Sequence, residues 1–166
     1  MFRIPRLFYL LFVFFILAVD QLTKAVVTQK INLYGSNEII PGFFNMTYIQ
    51  NRGAIFGFFS QSGSQLVYIL LTLTSLAALA LVVYYFFKTP PDEKLMKISL
   101  SFILGGALGN LADRIFRGYV VDFMDFYVKK WHWPSFNVAD SCITIGAILL
   151  IFLFFFKRRP KCTPSS

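Results

Sequence analysis

Asp122, in VVDF, and Asp140, in FNVADS, are the carboxylates best placed to act together. Asp122 follows a helix break at Gly118, and Asp140 opens an apolar run that continues to residue 156. Two separately placed helix ends thus bring two acids to one face of a membrane. A carboxylate pair with one member ionised and the other protonated can activate a water as base and acid. Asp140 falls in the first helical turn, where the helix dipole and free N–H groups favour negative charge. Asp122 has apolar neighbours that disfavour ionisation, so it is expected to hold the proton. The competing reading is capping plus solvated acids, and on spacing alone Asp125 is an equal candidate.

The remaining polar residues inside apolar runs fall on helix faces. Asn110, Asp113, Arg114 and Arg117 follow i, i+3, i+4, i+7 and make one stripe that must face protein or water. Asp113 and Arg114 either tie the stripe to neighbouring structure or, for Arg114, hold substrate carbonyls or a lipid phosphate. Asp20 and Lys24 share a face of the first run, as a structural ion pair, as an interfacial anchor or in contact with substrate. Asn137 has the position of an N-cap, with Asp140 at N3 as in a capping box. His132, the only histidine, lies between Trp131 and Trp133 and reads as part of an interfacial aromatic belt. With no second histidine or cysteine cluster, a zinc mechanism is disfavoured, and serine or cysteine chemistry lacks a positioned base.

Positioning these groups requires spans. Hydrophobic residues make up 57% of 166 and the mean hydropathy is +0.63, which places the chain in the membrane class. Apolar runs at about 7–27, 66–87, 96–115 and 138–156 are long enough to cross a bilayer. The first resembles a secretory leader but continues through DQLTK without an A-x-A site, so it reads as a retained span. Between the spans lie segments 28–65 and 117–137. The former carries turn signals at Tyr34-Gly35-Ser36-Asn37 and Pro41-Gly42, and its residues 43–50 read as a strand of a small antiparallel sheet. Arg3, Arg6, Lys88, Lys94, Lys97, Lys157, Arg158, Arg159 and Lys161 fall on one side, which puts both termini in the cytoplasm and both segments outside. The same distribution attributes the net charge of +8 to membrane orientation rather than nucleic acid. Cys142 and Cys162 are kept apart by this topology, so no disulfide is implied.

DQLTK, NRGAIFGF, GGALGNLADR, VVDF and FNVADS, in that order and across nearly the whole chain, resemble the bacterial lipoprotein signal peptidase (signal peptidase II) family. The resemblance implies an aspartic endopeptidase of the bacterial cytoplasmic membrane, with four helices, an outer-face sheet and no cofactor or metal. It implies substrates that are diacylglyceryl-modified prolipoproteins, cut on the amino side of the lipidated cysteine, and membrane lipids as surroundings; a monomer is expected. Asp122 and Asp140 match the family's catalytic aspartates, which resolves the tie with Asp125. Asp20, Lys24, Asn51, Gly53, Asn110, Asp113, Arg114, Asn137 and Ala139 match its supporting positions. Ile55 departs from an alanine frequent in the family and touches no catalytic group.

Two other classes compete. A small ion-coupled transporter would use Asp20, Lys24, Asp113 and Arg114 as a relay, but such sites favour the midplane and broken helices. A noncatalytic assembly factor would only bind lipidated partners in the same groove.

Overall fold

The computed structural model describes residues 5–52 and 65–156, so Gly53, Ile55 and most of NRGAIFGF lie outside the described residues, as do Arg3, Cys162 and the basic cluster after Phe156. The described chain runs α1 (Arg6–Lys30), β1 (Ser36–Ile40), β2 (Phe44–Asn51), α2 (Gln65–Lys88), α3 (Lys94–Arg117), β3 (Val120–Val128), β4 (Trp131–His132) and α4 (Val138–Phe156). All four helices are long and apolar enough to cross a membrane. The fold is mainly helical, with one small antiparallel sheet.

α1, α2 and α3 extend beyond the apolar runs that mark them in the sequence, into polar residues at their ends, whereas α4 keeps the bounds of its run. α1 buries Tyr9, Val13, Ile16, Asp20, Lys24 and Val27, a single stripe that changes from apolar to charged along its length. α3 is the central helix: 56% of its most apolar window is buried, against 6% for α2, whose face is left to lipid. α3 ends at Gly118, whose φ of 75° is the left-handed conformation of a helix stop and whose N–H returns to the Arg114 carbonyl.

Lipid supplies no hydrophobic drive between helices, so α3 and α4 associate by close approach of small residues. α4 buries Ala139, Cys142 and Gly146. A Cβ on Gly106 would sit 2.4 Å from the Ala139 carbonyl oxygen, and one on Gly109 would sit 2.6 Å from Asp20 Oδ2. The glycines of GGALG are therefore the contact surface that lets α4 and the α1 carboxylate reach α3. At the other end of the bundle the buried Lys97 ammonium donates to the Phe86 carbonyl and lies over its ring, fastening α2 to α3.

The sheet order is β1-β2-β3-β4. Ser36 and Asn37, read as turn residues, are the first residues of β1, and the reversal before it uses Tyr34 at φ 61° instead. Pro41-Gly42 makes the expected turn between β1 and β2. β2 pairs with β3 through Ile49↔Asp122 and Asn51↔Val120, with a register shift between Met46 and Ile49. Val27 of α1 and Ile31, which follows its last turn, pack with Tyr48, Val121 and Phe123, which seats the sheet on the end of the bundle.

Gly106→Ala tests the helix contact. Helix propensity favours alanine by about 1 kcal/mol, but the obstacle is backbone and cannot swing aside, so overpacking of about 1–3 kcal/mol toward the upper end is expected to win. Thermal unfolding in detergent should show a lower midpoint; an unchanged or higher midpoint would contradict the contact.

Candidate active site

α1 delivers one cation to the interior. Lys24 is fully buried, and its ammonium meets Asp20 Oδ2 at 2.8 Å, Asp113 Oδ2 at 2.8 Å and Asn110 Oδ1 at 3.1 Å. Three N–H donors thus have three acceptors, the condition for tolerating a buried ammonium. Each acceptor then reaches another element. Asp20 Oδ1 accepts the Ala139 N–H at 2.9 Å, using a free donor in the first turn of α4. Asp113 Oδ2 accepts the Val121 N–H at 3.1 Å, tying the α3 stripe to β3, and its other oxygen pairs with Arg117. The expected ion pair between Asp20 and Lys24 is thus present, and Asp113 does join the stripe to the sheet. Arg114 donates to the Asn110 carbonyl of its own helix at 3.3 Å.

Asn137 behaves as the sequence predicts. Its Oδ1 accepts the Asp140 N–H at 2.9 Å, and its own N–H reaches Asp140 Oδ2 at 3.3 Å, a reciprocal capping box at the start of α4. Its amide nitrogen donates to Asp122 Oδ1 at 2.7 Å. One residue therefore holds both carboxylates, that of the strand through its side-chain amide and that of the helix through its backbone N–H. Asn110 completes the frame by donating to Asp140 Oδ1 at 2.7 Å and accepting from Asn137 at 3.3 Å. Asn51, at the end of β2, donates to Asp122 Oδ2 at 2.9 Å.

Asp122 is 3% exposed, and its carboxyl is pushed up to about 7, first by burial and then by the Asp140 carboxylate; the amides of Asn51 and Asn137 and the Lys24 charge oppose the rise. This carboxyl can therefore carry a proton near neutrality.

Asp125 is elsewhere. Strand residues alternate faces, so three positions beyond Asp122 its side chain points away. It accepts from Asn45 at 3.2 Å and contacts His132 Nδ1 at 3.0 Å. Two features escaped the sequence reading. The nine residues of β3 were not assigned as a strand, although VVDFMDFYV is rich in β-branched and aromatic residues. Gln21 was passed over, yet its amide contacts Asp20 Oδ2, the Gly109 carbonyl and Asp113 Oδ1 at 3.1–3.2 Å. A second polar residue beside Asp20 in an apolar run was the available signal. Among the described residues no group of His, Cys, Asp and Glu is arranged to hold a metal.

The family model described as signal peptidase (SPase) II matches residues 12–156. The chain belongs to that family. A lipoprotein signal peptidase of Burkholderia mallei (strain SAVP1) is 47% identical over 133 residues, covering 80% of this chain and 78% of the relative. One of Syntrophus aciditrophicus (strain SB) is 40% identical over 159 residues, covering 95% and 98%. Two solved structures of bacterial membrane enzymes, obtained by the in meso method, have similar folds. The structure at 1.9 Å resolution has a TM-score of 0.78 at 32% identity, covering 90% of this chain and 94% of that one. The one at 2.3 Å has a TM-score of 0.75 at 35% identity, covering 95% and 93%.

Lys24→Met should leave Asp20 and Asp113 buried with no cation between them. Removing one partner of a buried pair costs about 3–5 kcal/mol, and unfolding in detergent is expected to show a loss of that order. Arg117→Gln, at a side chain 27% exposed, should cost much less. Equal effects would contradict the central place given to Lys24.

Proposed function

We propose that this chain is an aspartic endopeptidase that removes signal peptides from diacylglyceryl-modified prolipoproteins, cutting on the amino side of the lipidated cysteine, with Asp122 and Asp140 as the catalytic pair. The observation that carries the reading is the double role of Asn137, which bonds Asp122 and caps the helix turn that holds Asp140. Family membership and relatives named lipoprotein signal peptidase supply the substrate class.

In the free enzyme Asp122 carries the shared proton and Asp140, at N3 of α4, is ionised. A water between them gives a proton to Asp140 as its oxygen adds to the scissile carbonyl, and Asp122 protonates the carbonyl oxygen. The diol then collapses: the C–N bond breaks, a diol hydroxyl returns its proton to the pair, and the pair protonates the leaving amine. One water is consumed and the pair regains its single proton.

The other matched positions support the pair. Asn51, Asn110 and Asn137 fix the carboxyl oxygens. Asp20, Lys24, Asp113 and the Ala139 N–H fix the frame. Arg114 and Gly53 serve the substrate backbone. The chain acts as a single domain and a monomer in the bacterial cytoplasmic membrane, with both termini cytoplasmic and the sheet and aspartates at the outer face, in accord with cationic residues such as Arg6, Lys88 and Lys94 at the opposite ends of the helices.

Cleavage of a diacylglyceryl-cysteine peptide by purified protein in detergent tests this. Asp122→Asn and Asp140→Asn should each lower the rate by at least about a hundredfold, the scale of general acid–base catalysis. The folded amount in membranes should change little, since the amide keeps the shape. Full activity in either variant would refute the assignment.

A further inference from the structure

The β3–β4 hairpin has two unlike faces. On one, Asp125 contacts His132, and the His132 ring stacks on Tyr127 with centroids 5.0 Å apart. Val128 pairs directly with Trp131, so these two share the other face, and Trp133, bonded to the Phe126 carbonyl, continues it. That second face is bare: Val128 is 60% exposed, Trp131 84% and Trp133 62%. Lys129 and Lys130 form the turn, both exposed, and Lys129 holds a φ of 57° where glycine or asparagine would be less strained. Among the described residues no carboxylate pairs with either lysine.

A pinned polar face, an uncovered aromatic face and a rim of two unpaired cations call for an occupant that is apolar inside and anionic at its surface. Tryptophan with lysine is the composition of membrane–water interfaces. Reach agrees: Phe136 is bridged to Met124 and Asn137 caps the α4 span, so six residues from Asp122 to Val128 allow the tip at most about 20 Å from the end of that helix. A bilayer is always within that distance, whereas a soluble partner would have to be recruited.

We propose that the β3–β4 hairpin is a docking surface for acidic phospholipids, with Lys129 and Lys130 on headgroup phosphates and Trp131 and Trp133 seated in the interface. This goes beyond the catalytic reading and does not depend on it.

The chain contains two tryptophans, both in this hairpin, so native fluorescence reports on it alone. The full chain is placed in nanodiscs whose acyl chains carry bromine, made of phosphatidylcholine alone or with phosphatidylglycerol. Quenching is expected in both and stronger with phosphatidylglycerol, and raising the salt should remove only the increment. Replacing Lys129→Gln and Lys130→Gln together should lower the docked-to-free ratio in acidic discs by about fivefold per lysine. Quenching in neutral discs and peptide cleavage in detergent should stay unchanged. The proposal is overturned by unquenched emission in both discs, or by equal quenching of parent and variant in both. It is equally overturned if cleavage falls in detergent or if a lipidated peptide relieves the quenching, since the hairpin would then serve the substrate.

Discussion

The arrangement depends on the Lys24 ammonium being buried among oxygen acceptors. A charge withdrawn from water is tolerated only when every donor is satisfied and opposite charge is close. Here that condition draws in Asp20 from the same helix and Asp113 and Asn110 from α3. Because carboxylates have oxygens to spare, the same groups also bind the first turn of α4 and the backbone of β3. One cation thereby sets the relative placement of two helices, a third helix end and a strand. Gly109 has to be a glycine for the same reason, since a side chain there would occupy the place of the Asp20 carboxylate.

The catalytic geometry proposed above is a consequence of that frame. Asn110 accepts from Lys24 and donates to Asp140, so the amide orientation that suits the cation also aims a donor at the acid. Asn137 repeats the device between Asp140 and Asp122. The two asparagines are neutral, which matters: they fix carboxyl oxygens without supplying the full positive charge that would hold both acids ionised. Burial and the neighbouring carboxylate then push the Asp122 carboxyl up to about 7, so that it can hold a proton near neutrality.

Much of this was legible in the chain. Four apolar runs gave four helices, and polar residues at helical spacing gave the faces of α1 and α3 that meet. Asn137 and Asp140 declared a capping box because that motif is local. What the sequence hid was non-local. Nothing in the spacing of Asp20 indicates that its second oxygen caps α4, a contact between residues 119 positions apart. Asp122 and Asp125 look alike until β3 is recognised as a strand, whose alternation sends them to opposite faces. Ser36 and Asn37 are turn-formers by type, yet pairing with β2 outweighs that preference and holds them in β1.

The central claim is that the acids share one proton and that Asp122 holds it. Infrared titration of the purified protein, observing the protonated-carboxyl band, tests this most directly. The account predicts a band that disappears as pH rises through about 7, that in Asp140→Asn titrates at lower pH through loss of the neighbouring charge, and that in Asp122→Asn, where only Asp140 survives, disappears at a lower pH still. A band that persists to higher pH in Asp122→Asn than in Asp140→Asn would contradict it.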